Sequence, residues 1–122
     1  MNENRLPGYL DHMIDAACQV CGYLEGMSRE DFLHDKRTQQ AVILNIVILG
    51  EAATKLLKDY EPFLEGHPDV PWRSMKGMRN RIAHGYFDIN LDVVWETART
   101  ALPELLLKLP AIRKAAEMEA GR

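Results

Sequence analysis

The chain has 122 residues, 47% hydrophobic and 27% charged, enough for one globular domain with a buried core and too few for two. Fifteen Lys and Arg against eighteen Asp and Glu leave a formal charge of -3. That excludes a protein gripping nucleic acid over its whole surface and confines any anion site to a local patch. The N-terminus is polar and lacks an apolar signal core. The longest apolar stretch, Ala41 to Gly50, is interrupted by Asn45 and is about half of the roughly 20 residues a membrane span needs, so the chain reads as cytoplasmic with no membrane partner.

Apolar residues recur at helical spacing throughout and no window alternates as a half-buried strand does, which predicts an all-α domain. A first helix starts near Pro7, presents Leu10, Met13, Ile14, Ala17, Cys21 and Leu24 on one face, and ends at Gly26. Cys18 and Cys21 form a lone C-x-x-C on it; without a preceding strand or a second pair they read as two reduced thiols. Ser28 and Asp31 have capping-box spacing for a short helix through Phe32 and Leu33. Val42, Ile46, Leu49, Ala53, Leu56 and Tyr60 then mark a long central helix, widened by Ile43, Val47 and Leu57. Gly50, in its middle, costs roughly 1 kcal/mol of helix propensity relative to Ala, so a close approach by a neighbouring helix is expected there. Pro62, Gly66 and Pro68 mark a loop.

Pro71 opens a helix towards His84, where Gly85 provides a stop by accepting a left-handed backbone. Asp88 and Asn90 are candidate caps of the last long helix. It carries Leu91, Trp95, Ala98, Leu102, Leu105 and Leu109, with a kink expected at Pro103, which removes the hydrogen bond to the Arg99 carbonyl. The predicted architecture is an up-and-down bundle of four main helices plus a short one, a single domain over residues 1–122 with its bundle core at 6–109 and a charged, fraying tail at 110–122.

Charge is unevenly distributed. Arg73 to His84 holds Arg73, Lys76, Arg79 and Arg81 with no acid, leaving eleven basic and eighteen acidic residues elsewhere. At about 100° per residue, Trp72, Met75, Met78 and Ile82 share one side of this helix, Arg73, Lys76, Asn80 and His84 share the other, and Arg79 falls at the border. Such a face suits a phosphodiester, although an acid-free helix face is more often simply solvated. Arg79 and His84, five residues apart, diverge by roughly 140°, whereas Asn80, four residues before His84, is placed to hydrogen-bond its imidazole.

The other candidates read as structural. Asp31 and His34 have the spacing of a carboxylate–imidazole metal pair but no second such pair, so no metal and no cofactor is expected. His12 and His67 read as surface or satisfied histidines, and Trp72 and Trp95 as packing residues rather than base-stacking platforms. Glu51 either supports a site or dimer or is merely exposed between apolar faces.

The run Arg79-Asn80-Arg81-Ile82-Ala83-His84-Gly85-Tyr86 resembles the Arg-polar-x-x-x-His signature of HEPN ribonucleases, in the Arg-x4-His-x-Tyr form of the HepT toxins. Tyr9-Leu10-Asp11-His12, Gly26-Met27-Ser28, Ile48-Leu49-Gly50-Glu51-Ala52, Pro71-Trp72-Arg73, Val94-Trp95 and Leu102-Pro103 look like HepT positions in the same order, so the resemblance covers Tyr9 to Leu109. It implies the toxin of a type VII toxin–antitoxin pair, a metal-independent endoribonuclease acting on RNA, with tRNA as the implied class. It also implies a homodimer with both signatures lining one cleft, and an MNT-type nucleotidyltransferase antitoxin that adenylylates Tyr86. Arg79 and His84 are then the catalytic pair, Asn80 their support, and Arg73, Lys76 and Arg81 RNA-binding residues. An imidazole with a pKa near 6.5 suits removal of the ribose 2′-OH proton, and a guanidinium suits charge developing on the phosphate. The competing reading is a non-catalytic HEPN module that docks a nucleotidyltransferase.

Overall fold

The apolar stripes become packed helices in the computed structural model, which describes residues 4–120. Helix α1 (Leu6–Tyr23) has Pro7 in its first turn, where the missing N–H has no partner to lose, and buries Leu6, Leu10, Met13, Ala16, Ala17 and Val20. Gly26, at φ 74°, reverses the chain after it. The short α2 (Arg29–Leu33) opens on the expected capping box: Asp31 N–H donates to Ser28 Oγ and Ser28 N–H to Asp31 Oδ2, both at 3.0 Å. These bonds from Ser28 hold the Asp31 carboxyl below its ordinary pKa, and the bonds from Thr38 do the same for Asp35, the cap of the next helix.

Helix α3 (Lys36–Asp59) is the centre of the fold, packing against α1 on one side and α5 (Trp72–His84) on the other. Its predicted stripe is buried as far as Leu56, with Tyr60 only partly covered. By length and composition it could cross a membrane, yet half of its apolar window is buried against its neighbours. Gly50 marks the crossing with α5. A Cβ there would lie 2.3 Å from Arg79 Cβ and 2.7 Å from the Met75 carbonyl oxygen, so the expected close approach exists and is what Gly50 permits. Gly50→Ala should gain about 1 kcal/mol in helix propensity and lose more to overpacking, typically 1–3 kcal/mol, because one clashing atom is backbone. A lower urea midpoint is expected; an unchanged or higher one would contradict the tight crossing.

A second short helix, α4 (Glu61–Glu65), occupies the segment read as loop, with Pro62 in its first turn. After α5 and a 3-10 turn (Tyr86–Asp88), Asn90 caps α6 (Leu91–Glu96), its Oδ1 accepting from Asp92 and Val93 N–H, while Asp88 caps nothing. The kink expected at Pro103 is a π-helical turn, Thr97–Ala101, in which Leu102 N–H reaches back to the Thr97 carbonyl. The wider turn gives the proline ring room where a regular helix would press it on the Arg99 carbonyl. The chain then continues as α7 (Leu102–Ala120).

The bundle does not stop at Leu109. Ile112 and Ala116 extend the stripe of Leu102, Leu105 and Leu109 and are buried, and Arg113 pairs with Asp11 of α1 at 2.8 Å. The segment expected to fray is therefore packed helix as far as Ala120, and residues 121–122 lie outside the described residues. Its charges hid a three-four spacing that simply continues.

The four main helices of the prediction are α1, α3, α5 and the composite α6–α7, and no strand occurs among the described residues. Since α7 leans on α1 and α5 on α3, an open groove separates α5 from α6–α7.

Candidate active site

Helix α5 supplies the residues of the basic segment. Trp72 and Ile82 are buried, Arg79 turns towards α3, and the Met75 carbonyl closes on Gly50 of α3. Arg79 thus belongs to the packing seam, not to the border of a solvent face, because Gly50 lets the two backbones close until the arginine stem runs over α3.

There the guanidinium is held. Arg79 Nη2 donates to Thr54 Oγ1 at 3.1 Å, and Thr54 Oγ1 in turn donates to the Gly50 carbonyl at 2.7 Å. The hydroxyl proton is therefore committed to α3 and its lone pair faces the arginine. Glu51 Oε2 lies 3.5 Å from Arg79 Nε, close enough for charge attraction, but buried Nε has no hydrogen-bond partner among the described residues. The Arg79 side chain is 24% exposed, so the cation is anchored by α3 while keeping unused donor capacity.

His84, at the end of α5, is exposed and its imidazole makes no hydrogen bond among the described residues. The expected bond from Asn80 is absent: Asn80 is half-buried, and neither side chain is drawn to the other. The Arg79 guanidinium, pulled onto α3, forms no hydrogen bond with His84 among the described residues. The helix stops at Gly85 with φ −139°, so the stop does not use a left-handed backbone; Gly85 N–H closes it on the Arg81 carbonyl at 2.9 Å. Tyr86 follows, half exposed, with its ring edge-on to Phe87 at 6.0 Å between centroids. Phe87 is 98% exposed.

The remaining basic residues differ in availability. Arg73 donates to Glu61 at 2.8 Å, an exposed pair that a phosphate could displace at little cost. Lys76 is half-buried, and Arg81 is exposed at the rim of the groove. Thr54 carried no sequence signal, since its role depends on a helix crossing; Glu51, left undecided by its exposure, is the partner of Arg79.

The other candidates fall where packing puts them. Trp72 and Trp95 are buried, Trp95 against Phe32 at 5.5 Å. The His67 ring lies tilted against Phe63, and the His67 carbonyl accepts from Trp72 Nε1. Asp31 is engaged in its capping box, and no cluster of three metal-ligating side chains occurs among the described residues. Burial and the neighbouring Cys18 push the Cys21 thiol above its ordinary pKa, which makes it a poorer nucleophile.

The chain matches the family described as ribonuclease HepT-like over residues 13–112, which includes α3, α5 and the segment through Tyr86. It belongs to the HepT-like ribonuclease family. A probable ribonuclease HepT of Thermococcus cleftensis is 36% identical over 106 residues, covering 87% of this chain and 94% of its own. A putative RNase of Caldanaerobacter subterraneus subsp. tengcongensis is 36% identical over 97 residues, covering 80% and 84%. A putative RNase of Methanocaldococcus jannaschii is 29% identical over 119 residues, covering 98% and 96%. No solved structure matches the chain.

Proposed function

We propose that this HepT-like chain is an endoribonuclease toxin that cleaves RNA without a metal ion, with tRNA as the substrate class. The observation that carries the reading is Arg79, anchored on α3 by Thr54 and Glu51 with donor capacity to spare, five residues before the free, exposed imidazole of His84. His84 takes the proton from the ribose 2′-OH, whose oxygen attacks the adjacent phosphorus, and Arg79 stabilises the charge that develops on the phosphate. Arg73, Lys76 and Arg81 bind the RNA backbone, and Asn80, which bonds neither Arg79 nor His84 in the single chain, would act only on a bound RNA. An MNT-type nucleotidyltransferase silences the enzyme in the cytoplasm by adenylylating Tyr86.

Arg79 and His84 of one chain point in different directions, so a second copy that brings its own signature to the same cleft completes the site. Exposed Leu44 and Ile48 on α3, along the face that carries Glu51, support such a homodimer. Light scattering at micromolar concentration should give twice the monomer mass, and monomer alone would count against it.

Induced expression of the chain by itself, followed by sequencing of RNA 5′ ends, tests the activity. New ends confined to a few positions are expected, and they should disappear with His84→Ala. Unchanged ends on expression of a folded protein would favour a binding module instead.

A further inference from the structure

The groove between α5 and α6–α7 begins one residue after His84. Its near end is a cavity of about 210 Å³ with walls from Met78, Ile82, Ile89 and Val94. Arg81, Asp88 and Asn90 are the residues with polar side chains among its lining. A larger cavity of about 510 Å³ continues from it along Met75, Leu102 and Leu105, and the two share Met78, Arg81 and Val93. The π-helical turn contributes Thr97 and Ala101 to the larger wall. The near cavity is smaller than most small-molecule sites, roughly 300–1,000 Å³, and suits one flat ring system more than a whole nucleotide.

We propose that this near cavity is a nucleobase subsite, taking the base of an RNA nucleotide next to the scissile phosphate, and that it prefers guanine. The inference rests on the RNA-cleaving reading of Arg79 and His84 and adds the feature that selects the cleavage position. Methionine and branched aliphatic walls accept the face of a base, since the thioether is polarisable and adaptable. Single-stranded RNA presents unstacked bases whose Watson–Crick edges are free to be read. The polar groups here read such an edge in a definite sense. Asn90 Oδ1 is already engaged by Asp92 and Val93 N–H at 3.0 and 3.2 Å, so only its Nδ2 remains, as a donor. Asp88 forms no ion pair or side-chain hydrogen bond among the described residues and offers two acceptor oxygens.

A carboxylate beside an amide donor complements N1–H and N2–H of guanine with O6 next to them. Adenine and cytosine offer one amine beside a ring acceptor that repels a carboxylate, and uracil offers one N–H between two carbonyls. Arg81, three residues before His84 on α5 and exposed at the cavity rim, is placed for the phosphate attached to that nucleotide and offsets the charge of Asp88.

The test uses the full chain labelled with 13C at its methionine methyls, titrated with each of the four ribonucleoside 5′-monophosphates. GMP should move the Met78 resonance saturably. UMP, CMP and AMP should bind at least about tenfold more weakly, and Asp88→Asn should cost GMP about tenfold, the weight of hydrogen bonds to a charged acceptor. Asp88 is exposed, so this variant keeps the fold. No movement of Met78 with millimolar GMP, or an equal response to all four nucleotides, overturns the proposal. Preference for AMP would assign the cavity to an adenylate instead. A Met78 shift that follows protein concentration but no nucleotide would assign the groove to a second copy of the chain. Because the readout is binding, it stands or falls separately from RNA cleavage. If the RNA ends are mapped as well, guanine should be enriched beside them and the enrichment lost in Asp88→Asn.

Discussion

His84→Ala should abolish the appearance of new RNA ends, a loss of about 10²–10⁴-fold in cleavage if the imidazole acts as general acid or base. The protein should fold as before. His84 is exposed and its imidazole makes no hydrogen bond among the described residues, and surface substitutions of that kind usually change stability by less than about 0.5 kcal/mol. Arg79→Ala should lower cleavage by about 10²–10³-fold through loss of charge stabilisation, but its fold cannot be assumed in the same way. The arginine stem packs across Gly50, and its removal leaves Thr54 Oγ1 and Glu51 without their partner. Arg79→Lys keeps the stem and a cation while losing the forked donors, so a large rate loss in a stable Arg79→Lys protein separates chemistry from packing. Cleavage by the parent should persist in EDTA and leave a 2′,3′-cyclic phosphate, since the proposed nucleophile is the substrate's own 2′-oxygen. Undiminished cleavage by a folded His84→Ala protein would remove His84 from the mechanism, and loss of cleavage in EDTA would overturn metal independence.

The residues show why some of this site was legible and some was not. Features fixed by neighbours in sequence came through: the Ser28–Asp31 capping box, the Asn90 cap and the apolar stripe of α3 all follow from local spacing. Gly50 was informative as well, because a glycine in an otherwise strong helix needs a tertiary reason, and α5 supplies it. What failed were inferences about where long or polar side chains go once helices cross. Arg79 lay at the edge of a helical wheel, yet a few ångströms of closer approach put it in the seam, in reach of Thr54 twenty-five residues away. Asn80 and His84 had the right spacing, but correct spacing permits a hydrogen bond without supplying the competition that would enforce one in water. In α7 the many charges mask a stripe that Ile112 and Ala116 carry onto α1. Pro103 does disturb the helix, and a π-helical turn absorbs it within one continuous helical path.

Tyr86→Phe should leave RNA cleavage intact and abolish silencing by adenylylation. The side chain is half exposed and its ring rests edge-on against Phe87, contacts a phenylalanine reproduces, and its hydroxyl bonds no other group among the described residues. In the proposed regulation that hydroxyl would be the acceptor: its oxygen would form the new bond to the α-phosphorus of ATP as the bond to the leaving pyrophosphate breaks, and the phenolic proton would pass to solvent. Each AMP adds about one negative charge beside the cleft. Two residues from His84, that charge opposes an incoming phosphate and its bulk crowds the rim of the groove. Parent and variant should be incubated with an MNT-type nucleotidyltransferase, ATP and magnesium, weighed intact, and assayed for RNA cleavage. The parent should gain AMP and lose activity while the variant does neither. Equal AMP addition to Tyr86→Phe would move the modification to another residue, and a parent that gains AMP at Tyr86 yet still cleaves RNA would show that charge at this position does not close the site.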